Sequence, residues 1–87
     1  MDSYNFDKKS YQTCLLEACK DNNLNKVISF INQKIKPDVI CLKQASLYNN
    51  LDMAKLIIQE GVKPNAECLE VACLHNNFDI VKLFIQN

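Results

Sequence analysis

Apolar residues recur along the chain at helical spacing, in a register that repeats every twenty-seven residues. Leu15, Leu42 and Leu69 share one place in the repeat, and Ala18, Ala45 and Ala72 share another. A second apolar stripe follows in each unit: Leu24, Val27, Phe30 and Ile31, then Leu51, Ala54, Ile57 and Ile58, then Phe78, Val81, Phe84 and Ile85. Steps of three and four residues bring side chains onto one helix face, so each unit predicts two short helices. Between the stripes fall the Asn pairs 22/23, 49/50 and 76/77. Asn tolerates the left-handed backbone that ends a helix, which places Asn49 at the turn. Asn50 is then expected to cap the next helix, with Asp52 one turn inside favouring its positive end.

The second unit carries the clearest boundaries. Asp38, matched by Asn65 in the third unit, is an N-cap residue, and Pro37 or Pro64 before it fixes the entering backbone. The first helix is predicted over 39–48, with Leu42 and Ala45 on its buried stripe. Gly61, the single Gly, is expected to end the second helix, while Lys34 holds that place in the first unit. No strand signal is present, since apolar alternation is weak and no Asn-Gly or Asp-Gly pair occurs. From Cys41 to Glu60 and from Cys68 to Asn87, eleven of twenty aligned positions are identical. A fixed period of this kind marks units that stack on their neighbours. The predicted organisation is a leader or partial capping repeat over 1–12, with Tyr4, Phe6 or Tyr11 covering the open end, then repeats over 13–39, 40–66 and 67–87, the last incomplete.

Composition narrows the function classes. Eighty-seven residues make one small domain, and ten Lys balance ten acidic residues with no Arg. No net field draws such a chain to nucleic acid or anionic membrane, and the side chain best suited to bidentate phosphate or guanine contact is missing. Met1–Asp7 lacks the apolar core of a signal peptide, and no stretch approaches the ~20 apolar residues of a membrane span. Five cysteines without a secretion signal point to free thiols in a reducing compartment. The expectation is an intracellular, cytoplasmic protein.

From about residue 13 to 87 the chain resembles the ankyrin repeat family. The family's T-P-L-H-x-A opening is kept as Leu15/Leu42/Leu69 and Ala18/Ala45/Ala72. Thr13 alone keeps the Thr, and Cys14, Cys41 and Cys68 stand in place of the Pro. Asn22, Asn49 and Asn76 replace the family's Gly between helices. The run Asp79–Ile85 is similar to the family's second helix, and Gly61–Ala66 to the segment after it. The units are shorter than the usual ~33 residues, and the missing residues fall after Ala66, where a hairpin finger would project. The resemblance thus implies an all-α fold, an ankyrin-like α-solenoid of three stacked antiparallel helix pairs without finger tips. The style of the repeats also resembles divergent ankyrin arrays of large DNA viruses and protists, which would put the protein in host cytoplasm if viral.

Candidate chemistry is sparse. Cys14, Cys41 and Cys68 are equivalent, and packed helices lie ~8–10 Å apart, beyond the ~4.4–6.8 Å Cα separation of a disulfide. Cys14 and Cys19, like Cys68 and Cys73, are five apart, about 140° around a helix. Neither arrangement matches a zinc pattern, so the cysteines are expected to be buried and to pack as small hydrophobes. His75 has no local dyad partner, because Cys73 points to another face. One Gly cannot form a phosphate loop. No enzyme, cofactor or metal site is expected, and the Asn pairs are assigned to turns and caps.

What varies at fixed places is more informative. The two residues after each Ala-Cys or Ala-Ser step are not kept through all three units: Lys20 and Asp21, Leu47 and Tyr48, Leu74 and His75. The ankyrin resemblance implies that these line a concave surface that contacts a protein partner, with Lys43 and Glu70 on its rim. Tyr offers contact area and a polar tip at low entropic cost. Leu47 and Leu74 could instead pack against the neighbouring unit. The expected function is protein–protein interaction, with a structural spacer or a fragment of a longer array as the alternative, and a thiol-based metal or redox protein as a third. The chain ends on Gln86 and Asn87 without a polar capping helix. That leaves the side of Ala72, Val81 and Phe84 open, so a longer array or self-association at that end is expected.

Overall fold

The computed structural model describes residues 8–86, the side chains of Lys8 and Lys9 excepted. Tyr4 and Phe6, expected as end cover, lie outside the described residues, as does Asn87. Six helices follow one another: α1 (Lys8–Lys20), α2 (Leu24–Asn32), α3 (Val39–Leu47), α4 (Leu51–Gln59), α5 (Ala66–Leu74) and α6 (Phe78–Gln86). No strand occurs among the described residues. The fold class is all-α, as the 3.6-residue periodicity predicts.

Local chemistry sets the helix boundaries. Asp38 accepts from the backbone N–H groups of Ile40 (3.0 Å) and Cys41 (3.2 Å), and Asn65 accepts from Cys68 (2.9 Å), opening α3 and α5. The places equivalent to Pro37 and Asp38 hold Ser10 and Tyr11 in the first unit, which the helix runs through, so α1 has thirteen residues against nine in each other helix. Asn22, Asn49 and Asn76 all adopt left-handed backbone, with φ of 57°, 57° and 58°. In each case the N–H of the following Asn returns to the repeated Ala carbonyl, Ala18, Ala45 or Ala72, at 2.9 Å. That six-to-one closure satisfies a carbonyl the helix end leaves open. Lys34 (φ 70°) and Gly61 (φ 99°) end α2 and α4, and Ile35 and Val62 then bond back to Phe30 and Ile57.

The second Asn of the pairs follows expectation in the first unit and departs from it in the later ones. Asn23 caps its own helix, accepting from Lys26 N–H at 3.2 Å. Asn50 makes no such cap. Its side-chain amide instead donates to the carbonyls of Cys19 (2.9 Å) and Lys20 (3.1 Å) at the end of α1. Asn77 repeats the reach one unit on, donating to the Ser46 carbonyl at 2.6 Å in a buried setting. The reason is packing: once the helices dock, the amide reaches carbonyls that the neighbouring helix end leaves open, exposed at Lys20 and buried at Ser46.

Packing follows chain order. α1 contacts α2 and α3, α3 contacts α4 and α5, α5 contacts α6, and α4 contacts α6, in a body of 46 × 20 × 20 Å. One core runs through it, built on Leu15, Val27, Leu42, Met53, Ile57 and Ile80 with the repeated alanines. α3 buries Cys41, Leu42, Ala45 and Ser46, more than one face, because it has helices on several sides. α4 buries one stripe of Met53, Ala54 and Ile57.

Burial steps along equivalent positions. Asn23 and Lys26 are exposed in the first unit, whereas Asn77, Met53 and Ile80 are buried in the later ones. The opposite trend holds for Cys19 and Ser46, buried, against Cys73, exposed. Of the side expected to be open at α5 and α6, Ala72 and Phe84 are in fact buried within the third unit; Cys73, Phe78 and Ile85 are the exposed residues, with Leu69 and Val81 half-buried. The correction is one of helix phase, since Ala72 and Phe84 belong to the buried core of the packed helices α5 and α6.

Candidate functional site

The variable residues all fall at helix ends. Lys20, Leu47 and Leu74 are the last residues of α1, α3 and α5, and Asp21, Tyr48 and His75 follow them, just before the left-handed Asn. Because α3 contacts both α1 and α5, these three ends form one row. The Lys20 ammonium sits over the Tyr48 ring, 5.7 Å from its centroid, tying the first two ends together. Tyr48 is 47 % exposed and Leu74 73 %, so both present apolar surface to solvent, while Leu47 is half-buried. Lys20, Asp21 and His75 are exposed. His75 Nδ1 lies 3.0 Å from the Val71 carbonyl oxygen, one turn back, which orients the ring.

The two rim residues separate. Lys43 donates to Glu67 at 3.1 Å, an ion pair joining α3 to the start of α5. With Glu67 well exposed, this pair contributes about 0–1 kcal/mol. Glu70 is exposed. Glu67 itself is absent from the set read from the sequence; its signal was only its first-turn place, where an acid favours the helix N-terminus.

The cysteines divide in a way the spacing argument missed. All five are free; Cys19, Cys41 and Cys68 are buried as expected, but Cys14 and Cys73 are exposed. The expectation fails at those two because each occupies a position that elsewhere in the chain faces an adjacent unit. Cys68 Sγ points to the Val39 carbonyl at 3.8 Å, and burial pushes its thiol up. Cys19 and Cys41, neither equivalent nor in one unit, lie on the packed helices α1 and α3, and their interaction, with burial, pushes the Cys19 thiol up and, against burial, holds the Cys41 thiol down. The signal was available in the repeat, since the residue after the core Ala faces the next unit and the first Cys of each unit faces the previous one. A cleft lies beside them, lined by Gln12, Thr13 and Leu16 of α1 and by Asp38, Ile40 and Cys41 at the start of α3.

Among the described residues, no three His, Cys, Asp or Glu side chains converge as a metal centre requires, and no helix is long and apolar enough to cross a membrane. Compared with known protein families, curated proteins and solved structures, the chain matches none.

Proposed function

We propose that the chain is a short ankyrin-like α-solenoid of three antiparallel helix pairs, acting in the cytoplasm as a protein-recognition module without chemistry of its own. The order of helix contacts, the elongated body and the stepwise burial of equivalent positions support the stacked arrangement. The observation that carries the recognition reading is the row itself: Tyr48 and Leu74 are both exposed at the ends of the packed helices α3 and α5, with Lys20 over the Tyr48 ring and Asp21 and His75 exposed at the same helix ends. An aromatic and an aliphatic anchor with a charged border is the composition of a protein contact. Fold alone does not fix function, so the row must be tested. Wild type and a Tyr48→Glu, Leu74→Glu double variant of equal helicity are compared in affinity capture, and the captured partner is then titrated purified. Loss of at least tenfold in affinity by the variant is expected. Equal capture by both makes the row ordinary surface and the chain a spacer.

A second reading has its own observation. Phe78 (62 %) and Ile85 (74 %) are exposed apolar residues of α6, a surface suited to association between two copies. Lys26 stands at the opposite end, where Met53 and Ile80 are buried in later units, so head-to-tail stacking would bury an unpaired ammonium. Pairing of two α6 surfaces is the remaining geometry. Light scattering of wild type against Phe78→Lys, Ile85→Lys tests it: a dimer that becomes a monomer supports pairing, and a wild-type monomer excludes it.

A further inference from the structure

In the second unit, Leu42, Ser46 and Ala54 are buried, and Leu51 and Ile58 are half-buried. The third unit provides the cover, since α5 packs on α3 and α6 on α4. One repeat further on, the same five places hold Leu69, Cys73, Phe78, Val81 and Ile85. Cys73, Phe78 and Ile85 are exposed, and Leu69 and Val81 are half-buried. The third unit therefore carries the α3–α5 interface forward by one step, as an apolar face.

The interfaces inside the chain show what such a face receives. Places exposed in the first unit and buried in both later ones mark the opposite side: Cys14 against Cys41 and Cys68, and Lys26 against Met53 and Ile80. Cys68 Sγ lies 3.8 Å from the Val39 carbonyl of α3, which gives the direction. The amides of Asn50 and Asn77 also point this way, to the carbonyls of Cys19 and Lys20 and of Ser46. The equivalent carbonyls on the third unit are those of Cys73 and Leu74.

The first unit presents that opposite side in a form ill suited to burial. It keeps Cys14 and Asn23, yet Lys26 stands where Met53 and Ile80 are buried, and Glu17 stands where Gln44 and Val71 are half-buried. Both charges are exposed, and covering them without partners is costly.

We propose that the face of Leu69, Cys73, Phe78, Val81 and Ile85 docks a helix pair of this repeat type from a partner, apolar at the place of Met53 and bearing an amide at the place of Asn50. Glu17 and Lys26 keep a second copy of this chain from taking that place. The contact is head-to-tail and heterologous. It uses the flank of α5 and α6, and it excludes pairing of two α6 surfaces on the same face.

The test turns the chain into its own partner. A full-length donor copy carries Glu17→Gln and Lys26→Met, which reproduce the second unit. It also carries Phe78→Lys and Ile85→Lys, which close its own flank. Wild type and donor, each of checked helicity, are weighed by light scattering, alone and mixed. Each alone should be a monomer, and the mixture should form a one-to-one complex. By titration calorimetry, restoring Glu17 and Lys26 in the donor should weaken binding by at least roughly tenfold. Asn23→Asp in the donor keeps a capping oxygen but removes the amide, and should weaken binding by about tenfold. A mixture that stays monomeric, binding indifferent to Glu17 and Lys26 or to the Asn23 amide, or a wild-type dimer that Phe78→Lys and Ile85→Lys dissolve would each overturn the proposal.

Discussion

Lys34 and Gly61 occupy one place in successive units, and both are left-handed, at φ 70° and 99°. A side chain with a Cβ carries a penalty there of about 1–2 kcal/mol, which Gly avoids. Lys34→Gly is therefore expected to stabilise the protein by about 1 kcal/mol and Gly61→Ala to destabilise it by a similar amount, both read from urea midpoints at unchanged slope. No atom lies within 4 Å of a Cβ built on Gly61, so the second effect is backbone strain and not a clash. The paired Asn residues give a sharper contrast. Asn23→Ala loses an exposed cap, costing about 1 kcal/mol. Asn77→Ala leaves the buried Ser46 carbonyl without its donor and should cost more, about 1–3 kcal/mol. The turn role of Asn22, Asn49 and Asn76 was legible because left-handed backbone is a property of the residue and its neighbours. The role of Asn50 and Asn77 was not, since their acceptors lie about thirty residues away and exist only once helices dock.

At the scale of the helix, the two stripes per unit and the Asp38 and Asn65 caps were readable, because period and capping are local. Asp38→Ala removes the acceptor of two N–H groups and is expected to cost about 1 kcal/mol, measured by equilibrium unfolding. The α3 and α5 sequences gave less away. Their apolar residues are not confined to one stripe: α3, with neighbours on several sides, buries Cys41, Leu42, Ala45 and Ser46, whereas α5 buries only Cys68 and Ala72. This is why the influence of Cys19 and Cys41 on each other's thiols was not foreseen: spacing along one helix, or between equivalent places, does not describe what lies across a helix contact. The candidate row was legible as positions, from variation at a fixed register, but the exposure of Leu74 beside the half-burial of Leu47 required the packed molecule.

For the whole molecule, a single core threads all six helices, so the units should unfold together rather than one by one. Leu42→Ala in the central unit, where Leu42 is wholly buried, is expected to lower stability by about 2–5 kcal/mol and to shift helicity and near-ultraviolet signals in step. The proposed recognition row depends on the register in which α3 docks between α1 and α5. The Asn amides report that register most directly. Solvent exchange of the Asn23, Asn50 and Asn77 side-chain amide protons, followed by nuclear magnetic resonance in the wild-type protein, separates the cases. Slow exchange at Asn77, intermediate exchange at Asn50 and fast exchange at Asn23, with cross-relaxation from Asn77 to the end of α3, is the expected result. Equal, fast exchange at all three would mean that the amides do not reach the preceding helix ends, and would contradict the register on which the proposed row rests.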